Sequence, residues 1–496
     1  MIPYFLALAG GVLTALAHPK VSWSYLAFFS LVPVLEAVRL RPQRAFLFSF
    51  LAGFSYFLFL LYWLVPVMVR FGGLPLPAAV GVLGLLAAYL ALFWALPVKI
   101  FVFTGRLKGS LFSAFFFAAL FTSFEFIRAK VPYAFPWGIL GASQYRELFL
   151  IQIADFGGVF AVSFLLALVN YALFSFMNTR KKSFLVLCFL ALLGAYLYGA
   201  ARLETQFNGP AQRVGLVQGN IPQDLKWDRA FLQETIAKYQ KLSREAVSCG
   251  AEVVIWPETA FPLYLSEKNK WLERLLGWQR QLAKPLIFGA PYYELKGERF
   301  RVYNSLFLLR DGKIVGRYDK QRLVPFGEFV PFEKTFPWLR TLAVASGEYA
   351  PGPRSLPLKL NPHQVFGPLI CFESIFPDLA RQRVRDGATV LLVATNDAWF
   401  DATAGPYQHF AQAVFRAIET RRYVIRVANT GISGLIDPYG RVIKQTPLEK
   451  EAAPCVTAKH LAYFSWYTRY GDLFSLGCLG LTLAVSVSAI FRRERL

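Results

Sequence analysis

Apolar residues dominate the chain from residue 3 to about 200, in successive runs close to the ~20 residues that a helix needs to cross a bilayer core. These runs predict spans at 3–17, 22–38, 46–69, 76–98, 110–127, 157–177 and 183–200. The first is short, but no basic stretch precedes it, no A-x-A cleavage pattern follows, and further spans come directly after, so it reads as a retained span. From about 207 to 460 short apolar stretches alternate with amphipathic segments of helical period. Strands are predicted at Arg213–Gln218, Val253–Trp256, Leu286–Gly289, Ser305–Leu309, Ile314–Tyr318, Pro368–Ile370, Thr389–Ala394, Val424–Ala428 and Gly434–Ile436. Helices are predicted at about 228–248, 267–283, 376–386 and 407–422, and Asp437-Pro-Tyr-Gly440 is a turn between two strands. A last apolar run, Leu473 to Phe491, ends in Arg492-Arg-Glu-Arg495. The chain thus divides into a bundle of about seven spans over 1–206, one α/β unit over 207–460, and a final span with its tail over 461–496.

Composition sharpens this division. With 55% hydrophobic, 17% aromatic and 17% charged residues and a mean hydropathy of +0.41, the chain is too apolar for an ordinary soluble protein. Its formal charge of +22 would suggest nucleic acid as a partner, but no basic stripe interleaved with aromatics occurs in the polar region, so nucleic-acid binding is excluded. The cations instead cluster beside the apolar runs. Arg39, Arg41 and Arg44; Lys99, Arg106 and Lys108; Arg180, Lys181 and Lys182; and Arg492, Arg493 and Arg495 mark the cytoplasmic side. The alternate loops hold the weaker set Lys20, Arg70, Arg128, Lys130 and Arg146, so residue 201 onward is expected outside and both termini inside. Glu125 and Asp155 fall in or beside apolar segments, where a charge needs a partner, and Arg128 is a candidate for Glu125. Val131-Pro-Tyr-Ala-Phe-Pro-Trp-Gly138 reads as an aromatic belt or as a lipid-binding segment.

Five cysteines, Cys188, Cys249, Cys371, Cys455 and Cys478, show no disulfide framework, and whether Cys249 and Cys455 pair is open. The four histidines, His18, His363, His409 and His460, read as isolated polar residues; no metal or other cofactor is expected.

Chemistry concentrates at three strand ends. Gly367-Pro-Leu-Ile-Cys-Phe-Glu-Ser374 is an apolar strand that stops at Cys371, with Glu373 two residues on. Val253-Val-Ile-Trp-Pro-Glu258 stops at a carboxylate, and Ile314-Val-Gly-Arg-Tyr-Asp-Lys320 at an ammonium, followed by Leu323-Val-Pro-Phe-Gly-Glu328. Singly, Cys371 reads as well as a small core residue, Glu258 as a capping carboxylate and Lys320 as a surface charge. Together a carboxylate, a lysine and a cysteine at strand ends form a constellation for acyl transfer through a thioester, since a thiol near ~8.5 needs a base to become nucleophilic at neutral pH.

This order and spacing resemble the nitrilase superfamily of carbon-nitrogen hydrolases, on Trp256-Pro-Glu258, Lys320 and Cys371; the resemblance implies an αββα sandwich. Over nearly the whole chain, further segments match one membrane-bound branch: Phe135-Pro-Trp137, Gln218-Gly-Asn220, Lys226-Trp227, Tyr303-Asn-Ser305, Tyr318 to Glu328, Thr395-Asn-Asp-Ala-Trp-Phe400 and Asn429-Thr-Gly431. With these the chain resembles the apolipoprotein N-acyltransferase family of bacterial membranes. The fold implied is a polytopic α-helical membrane bundle of about eight spans plus an α/β nitrilase-like domain on the periplasmic face of the inner membrane.

The resemblance implies that an acyl chain passes from a phospholipid, typically phosphatidylethanolamine, through a Cys371 thioester to the N-terminal α-amine of a diacylated apolipoprotein. Glu258 would be the base and Lys320 the oxyanion partner. Glu328 would orient Lys320, with Glu373 and Asn304 as supporting residues; for Glu328 and Glu373 a purely structural ion pair is equally open. Phe372 stands where tyrosine is expected, which leaves the nucleophile intact and removes a hydroxyl. Trp227, Trp338 and Trp399 are candidates for the substrate entrance, and Thr335-Phe-Pro-Trp-Leu339 with Leu342 and Val344 reads as an arm dipping into the headgroup region or as a buried loop. The competing function is a membrane-tethered amidase acting on a small amide, and an inert nitrilase-like scaffold is the non-enzymatic alternative.

Overall fold

The computed structural model describes residues 1–496 except 106, 108, 266–269, 297–298, 343–347, 355 and 495–496. Arg106, Lys108, Val344, Arg495 and the start of the helix expected at 267 lie outside the described residues. The chain forms two compact units, one from Met1–Pro66, Pro75–Thr205 and Ser465–Leu496, the other from Val67–Leu74 and Gln206–Phe464.

In the first unit, six helices among the described residues are long and apolar enough to cross a membrane: Pro42–Leu60, Leu76–Phe103, Leu111–Arg128, Val159–Thr179, Ser183–Glu204 and Leu473–Arg492. Ile2–Leu16 is a shorter apolar helix. It lies against Ala45–Leu60 so closely that a Cβ on Gly11 would sit 2.1 Å from the Ala52 carbonyl oxygen, the approach that small residues permit between helices.

Two expected spans are broken. The run 22–38 forms a 3-10 turn, Ser24–Phe28, and a separate helix, Val32–Leu40. Its irregular backbone is satisfied by the buried Asn170, whose amide donates to the Ala27 carbonyl and accepts the Leu31 N–H, both within 2.8 Å. The run 46–69 divides into Ala45–Leu60 and Leu64–Arg70.

The buried charges find partners. Asp155 pairs with Arg202 at 2.6 Å. Glu125 accepts the Leu140 N–H at 2.8 Å, and Arg128 donates to the carbonyls of Phe135, Trp137 and Gly138. Trp137, expected in a lipid-facing belt, is buried against Trp63 instead, because its loop is gripped by Arg128.

The second unit is built on two six-stranded sheets. The first contains β1 (Ala211–Leu216), β2 (Val253–Ile255), β3 (Leu286–Lys296), β4 (Arg299–Arg310) and β5 (Lys313–Asp319). The second contains β6 (Leu358–Asn361), β7 (Gln364–Ile370), β8 (Val390–Thr395), β9 (Val424–Ala428), β10 (Gly434–Ile436) and β11 (Val442–Gln445). The last strand, β12 (Cys455–Lys459), returns to the first sheet. The orders are β12-β1-β2-β3-β4-β5 and β11-β10-β9-β8-β7-β6, with β1, β2, β3 and β7, β8, β9 parallel and the outer pairings antiparallel.

The apolar residues of the two inner faces meet in one core. Leu216, Ile255, Ile287, Leu306 and Val456 from the first sheet pack with Phe366, Ile370, Leu392, Val427 and Leu435 from the second, as two half-apolar sheets must to remove those faces from water. Helices Leu232–Ser248 and Lys270–Leu282 cover the outside of the first sheet through Tyr239, Leu242, Leu275 and Trp278. Helices Pro377–Arg385 and Gly405–Thr420 lie on the second. The result is an αββα sandwich. All five cysteines are free, with the Cys455 thiol in hydrogen-bonding reach of the Ala246 carbonyl and of Cys249.

Candidate active site

The C-terminal ends of β2, β5 and β7 place three of the candidate side chains. β7 ends at Ile370, and Cys371 begins the 3-10 turn Cys371–Ile375 with φ +52°. That left-handed backbone is costly for a non-glycine residue, and it presents the thiol at a sharp turn between strand and helix. Glu258 follows β2. The strand's neighbour β3 carries Gly289, where a Cβ would meet the Thr259 nitrogen at 2.4 Å and the Pro257 oxygen at 2.6 Å, so only glycine lets the Pro257-Glu258 turn lie against β3. Lys320 follows β5, its own N–H donated to the Asn304 carbonyl at 2.8 Å.

These elements bring Glu258, Asn304, Lys320, Glu328 and Cys371 to one locus. Lys320 Nζ lies 2.9 Å from Glu328 Oε1 and 3.5 Å from Glu258 Oε1. Asn304 Nδ2 donates to the same two oxygens, at 2.7 Å to Glu258 and 3.1 Å to Glu328. Glu258 Oε2 accepts the Asn396 N–H at 3.0 Å, and Glu328 Oε2 the Val324 N–H at 2.8 Å. Each carboxylate is therefore held by donors on both oxygens. Burial works against the Lys320 charge, but Glu328, Glu258 and Cys371 outweigh it and hold the ammonium above its ordinary lysine value. Burial pushes the Cys371 thiol up, Glu258 adds to this, and Lys320 only partly opposes it. With its pKa raised, Cys371 would need an acceptor for its proton in order to act as a nucleophile near neutral pH.

Glu373 is placed differently from Glu328. It accepts the N–H of Ile370 at 2.8 Å and of Gln321 at 2.7 Å, and the Tyr318 hydroxyl donates to it at 2.9 Å. Arg383, stacked over the Tyr318 ring, completes this buried cluster. Glu373 thus ties the loop after Lys320 to the turn of Cys371. Phe372 is buried edge-on against Phe376 at 5.1 Å. Trp227 is exposed and follows Lys226; Trp399, three residues after Asn396, meets Phe71 edge-on at 5.0 Å. Trp338 is exposed on the short turn Pro337–Leu342, and Phe336 before it is exposed as well, unlike a buried loop.

Several residues at the site have no role assigned from sequence, Lys226 among them although Lys226-Trp227 is a matching segment. Lys226 is buried, its Nζ donating to the Glu258 carbonyl at 3.2 Å. Tyr349 lies close enough to Glu328, Glu258 and Lys320 for their charges to act on it. His409, read as an isolated polar residue, is a buried junction: Nδ1 lies 2.9 Å from Asp397 Oδ1, and Nε2 lies 2.8 Å from the Ser374 hydroxyl and 3.1 Å from the Cys371 carbonyl. Arg426 donates to Asp397 at 2.6 Å. The motif Thr395 to Phe400 and the position of His409 on the helix over β9 were the only signals for this network.

Two family profiles match. One, for the N-terminal domain of apolipoprotein N-acyltransferase, covers residues 10–172, and one for carbon-nitrogen hydrolase covers residues 213–458. Among curated relatives, the chain is similar to the apolipoprotein N-acyltransferase of Geobacter metallireducens, at 40% identity over 99% of this chain and 96% of that one. It is also similar to that of Methylococcus capsulatus, at 33% identity over 99% and 96%, and to that of Pseudomonas putida, at 33% over 90% and 89%.

Proposed function

The chain belongs to the apolipoprotein N-acyltransferase family, and from that membership we propose that it moves an acyl chain from a phospholipid to the N-terminal α-amine of a diacylated apolipoprotein, through a thioester on Cys371. The observation that carries this reading is the ion-paired set Glu258, Lys320 and Glu328 beside a cysteine in a left-handed turn, in a chain with six membrane-capable helices among the described residues.

In the first half-reaction Glu258 takes the thiol proton as sulfur attacks the ester carbonyl. Lys320, with backbone N–H groups, balances the negative charge on the carbonyl oxygen. The tetrahedral species collapses by breaking the ester C–O bond, the proton on Glu258 passes to the departing lysophospholipid alkoxide, and the thioester remains. In the second half-reaction the lipoprotein amine attacks the thioester carbonyl and Glu258 takes its proton; the C–S bond breaks to leave the amide, and the proton passes from Glu258 to sulfur, which restores both groups. Asn304 and Glu328 hold Glu258 and Lys320 at their separation, and Trp227, Trp338 and Trp399 line the approach of the acyl chains. The asymmetry of the basic loops supports an orientation with residues 207–460 on the periplasmic side of the cytoplasmic membrane and both termini inside.

The test is the product formed on mixing the purified full-length protein with phosphatidylethanolamine alone. A lysophospholipid together with an acyl adduct on Cys371 by mass spectrometry is expected. Ammonia released from small amides, with no acyl adduct from lipid, would establish the amidase instead.

A further inference from the structure

Lys226 ends the one-turn helix Gln223–Lys226, and only 3% of its surface is exposed. An ammonium carries three N–H donors. Among the described residues Lys226 uses one of them, on the backbone carbonyl of Glu258, and it meets no carboxylate within ion-pair distance. Lys320, equally buried, has two carboxylates around it. A buried cation that rests on a single neutral acceptor is expensive. Burial accordingly lowers its pKa to about 8, with the charges of Glu258 and Cys371 acting in the opposite sense.

The charge count of the site gives this cost a purpose. Glu258, Glu328 and Lys320 together carry one net negative charge, which opposes a second anion at Cys371. The Lys226 ammonium brings the four groups to neutrality. It is anchored on the backbone of Glu258, close enough to feel both Glu258 and Cys371, so its charge stays beside the pair whichever member holds the proton.

We propose that Lys226 is a further positioning residue of the acyl-transfer site, which supplies the uncompensated positive charge that lets Cys371 become a thiolate, with two N–H donors left for the negative charge that forms beside Glu258. This rests on the reading of Cys371 as the acylated residue. Lys226 differs in function from Lys320, whose charge is already matched by Glu258 and Glu328.

The test compares the full-length protein with Lys226→Met and Lys226→Arg in detergent, following alkylation of Cys371 by iodoacetamide against pH and, separately, single-turnover thioester formation from phosphatidylethanolamine. Lys226→Met removes the charge and should slow alkylation at pH 7 by ~10-fold or more, the loss of thiolate for each unit by which the thiol pKa rises. Its unfolding temperature should hold or rise, since an apolar chain replaces a poorly compensated ion. Lys226→Arg, which keeps the charge at every accessible pH, should restore most of the rate. Alkylation by Lys226→Met at the parent rate and with the parent pH profile overturns the proposal. So does a Lys226→Arg protein that stays folded yet is as slow as Lys226→Met, because shape and not charge would then be what matters. If the parent protein forms no thioester from lipid, the proposed donor is wrong, while the alkylation comparison still decides the role of Lys226.

Discussion

Gln321, the residue after Lys320, donates its backbone N–H to Glu373 at 2.7 Å, and Glu373 also takes the N–H of the residue before Cys371. One buried carboxylate therefore sets the lysine loop against the cysteine turn. Glu373→Ala leaves the Ile370 and Gln321 N–H groups and the Tyr318 hydroxyl without their acceptor, at about 1–3 kcal/mol each. The expected outcome is a lower unfolding temperature together with slower thioester formation. Glu373→Gln, which keeps one oxygen, should recover part of both. Normal acylation by a folded Glu373→Ala protein would show that the two loops hold their places without it.

Glu258 and Lys320 should separate in their effects on the thiol. Glu258→Gln keeps the shape but cannot take a proton, so acylation and transfer should each fall by ~10²–10⁴. Lys320→Met should cost a similar ~10²–10³ through lost oxyanion balance. Alkylation rates against pH distinguish the two: loss of the Glu258 charge should displace the thiol titration downward even as acylation falls, and loss of the Lys320 charge should displace it upward. Were Glu258→Gln to acylate at the parent rate, the base would have to be another group.

The pH dependence of the free thiol follows from its surroundings. Burial, reinforced by Glu258 and only partly opposed by Lys320, holds Cys371 above the ordinary thiol value, so the protonated form dominates at neutral pH. The thiolate fraction then rises ~tenfold per pH unit. Alkylation of Cys371 between pH 6 and 7.5 should climb with that slope, and a plateau in this range would mean a thiolate at rest.

The orientation assigned from the basic loops is checked by fusing a reporter active only outside the cytoplasm after Glu204 or Tyr470. Both fusions should be active, and a reporter that works only in the cytoplasm should be silent there. The reverse pattern would turn the topology over.

Much of the sandwich is legible as sequence because its central strands are fully buried and read as unbroken apolar runs: Val390–Thr395 is buried at every position. β6, β11 and β12 have no such signal. Each lies at a sheet edge, where half-solvated positions such as Lys359, Lys444 and Lys459 interrupt the apolar pattern. Glu258, Lys320 and Cys371 stand out because each closes an apolar strand. Lys226 does not, since nothing in Gln223-Asp-Leu-Lys226 tells a buried ammonium from a solvated one; its burial depends on Glu258, 32 residues away in sequence. The run 22–38 misleads for the complementary reason: its apolar residues are compatible with a span, but Asn170, far along the chain, makes the broken form stable.

The two sheets contribute different halves of the proposed site, Glu258, Asn304 and Lys320 from the first and Cys371 and Asn396 from the second. Glu258 and Cys371 are joined by no single element, so their separation is a gauge of how the sheets register across the core. Shrinking an inner residue such as Leu306 or Leu392 opens a void between the faces, and the first property to drift is alignment and not secondary structure. On gradual heating, activity should fade while the circular dichroism of the strands is still intact.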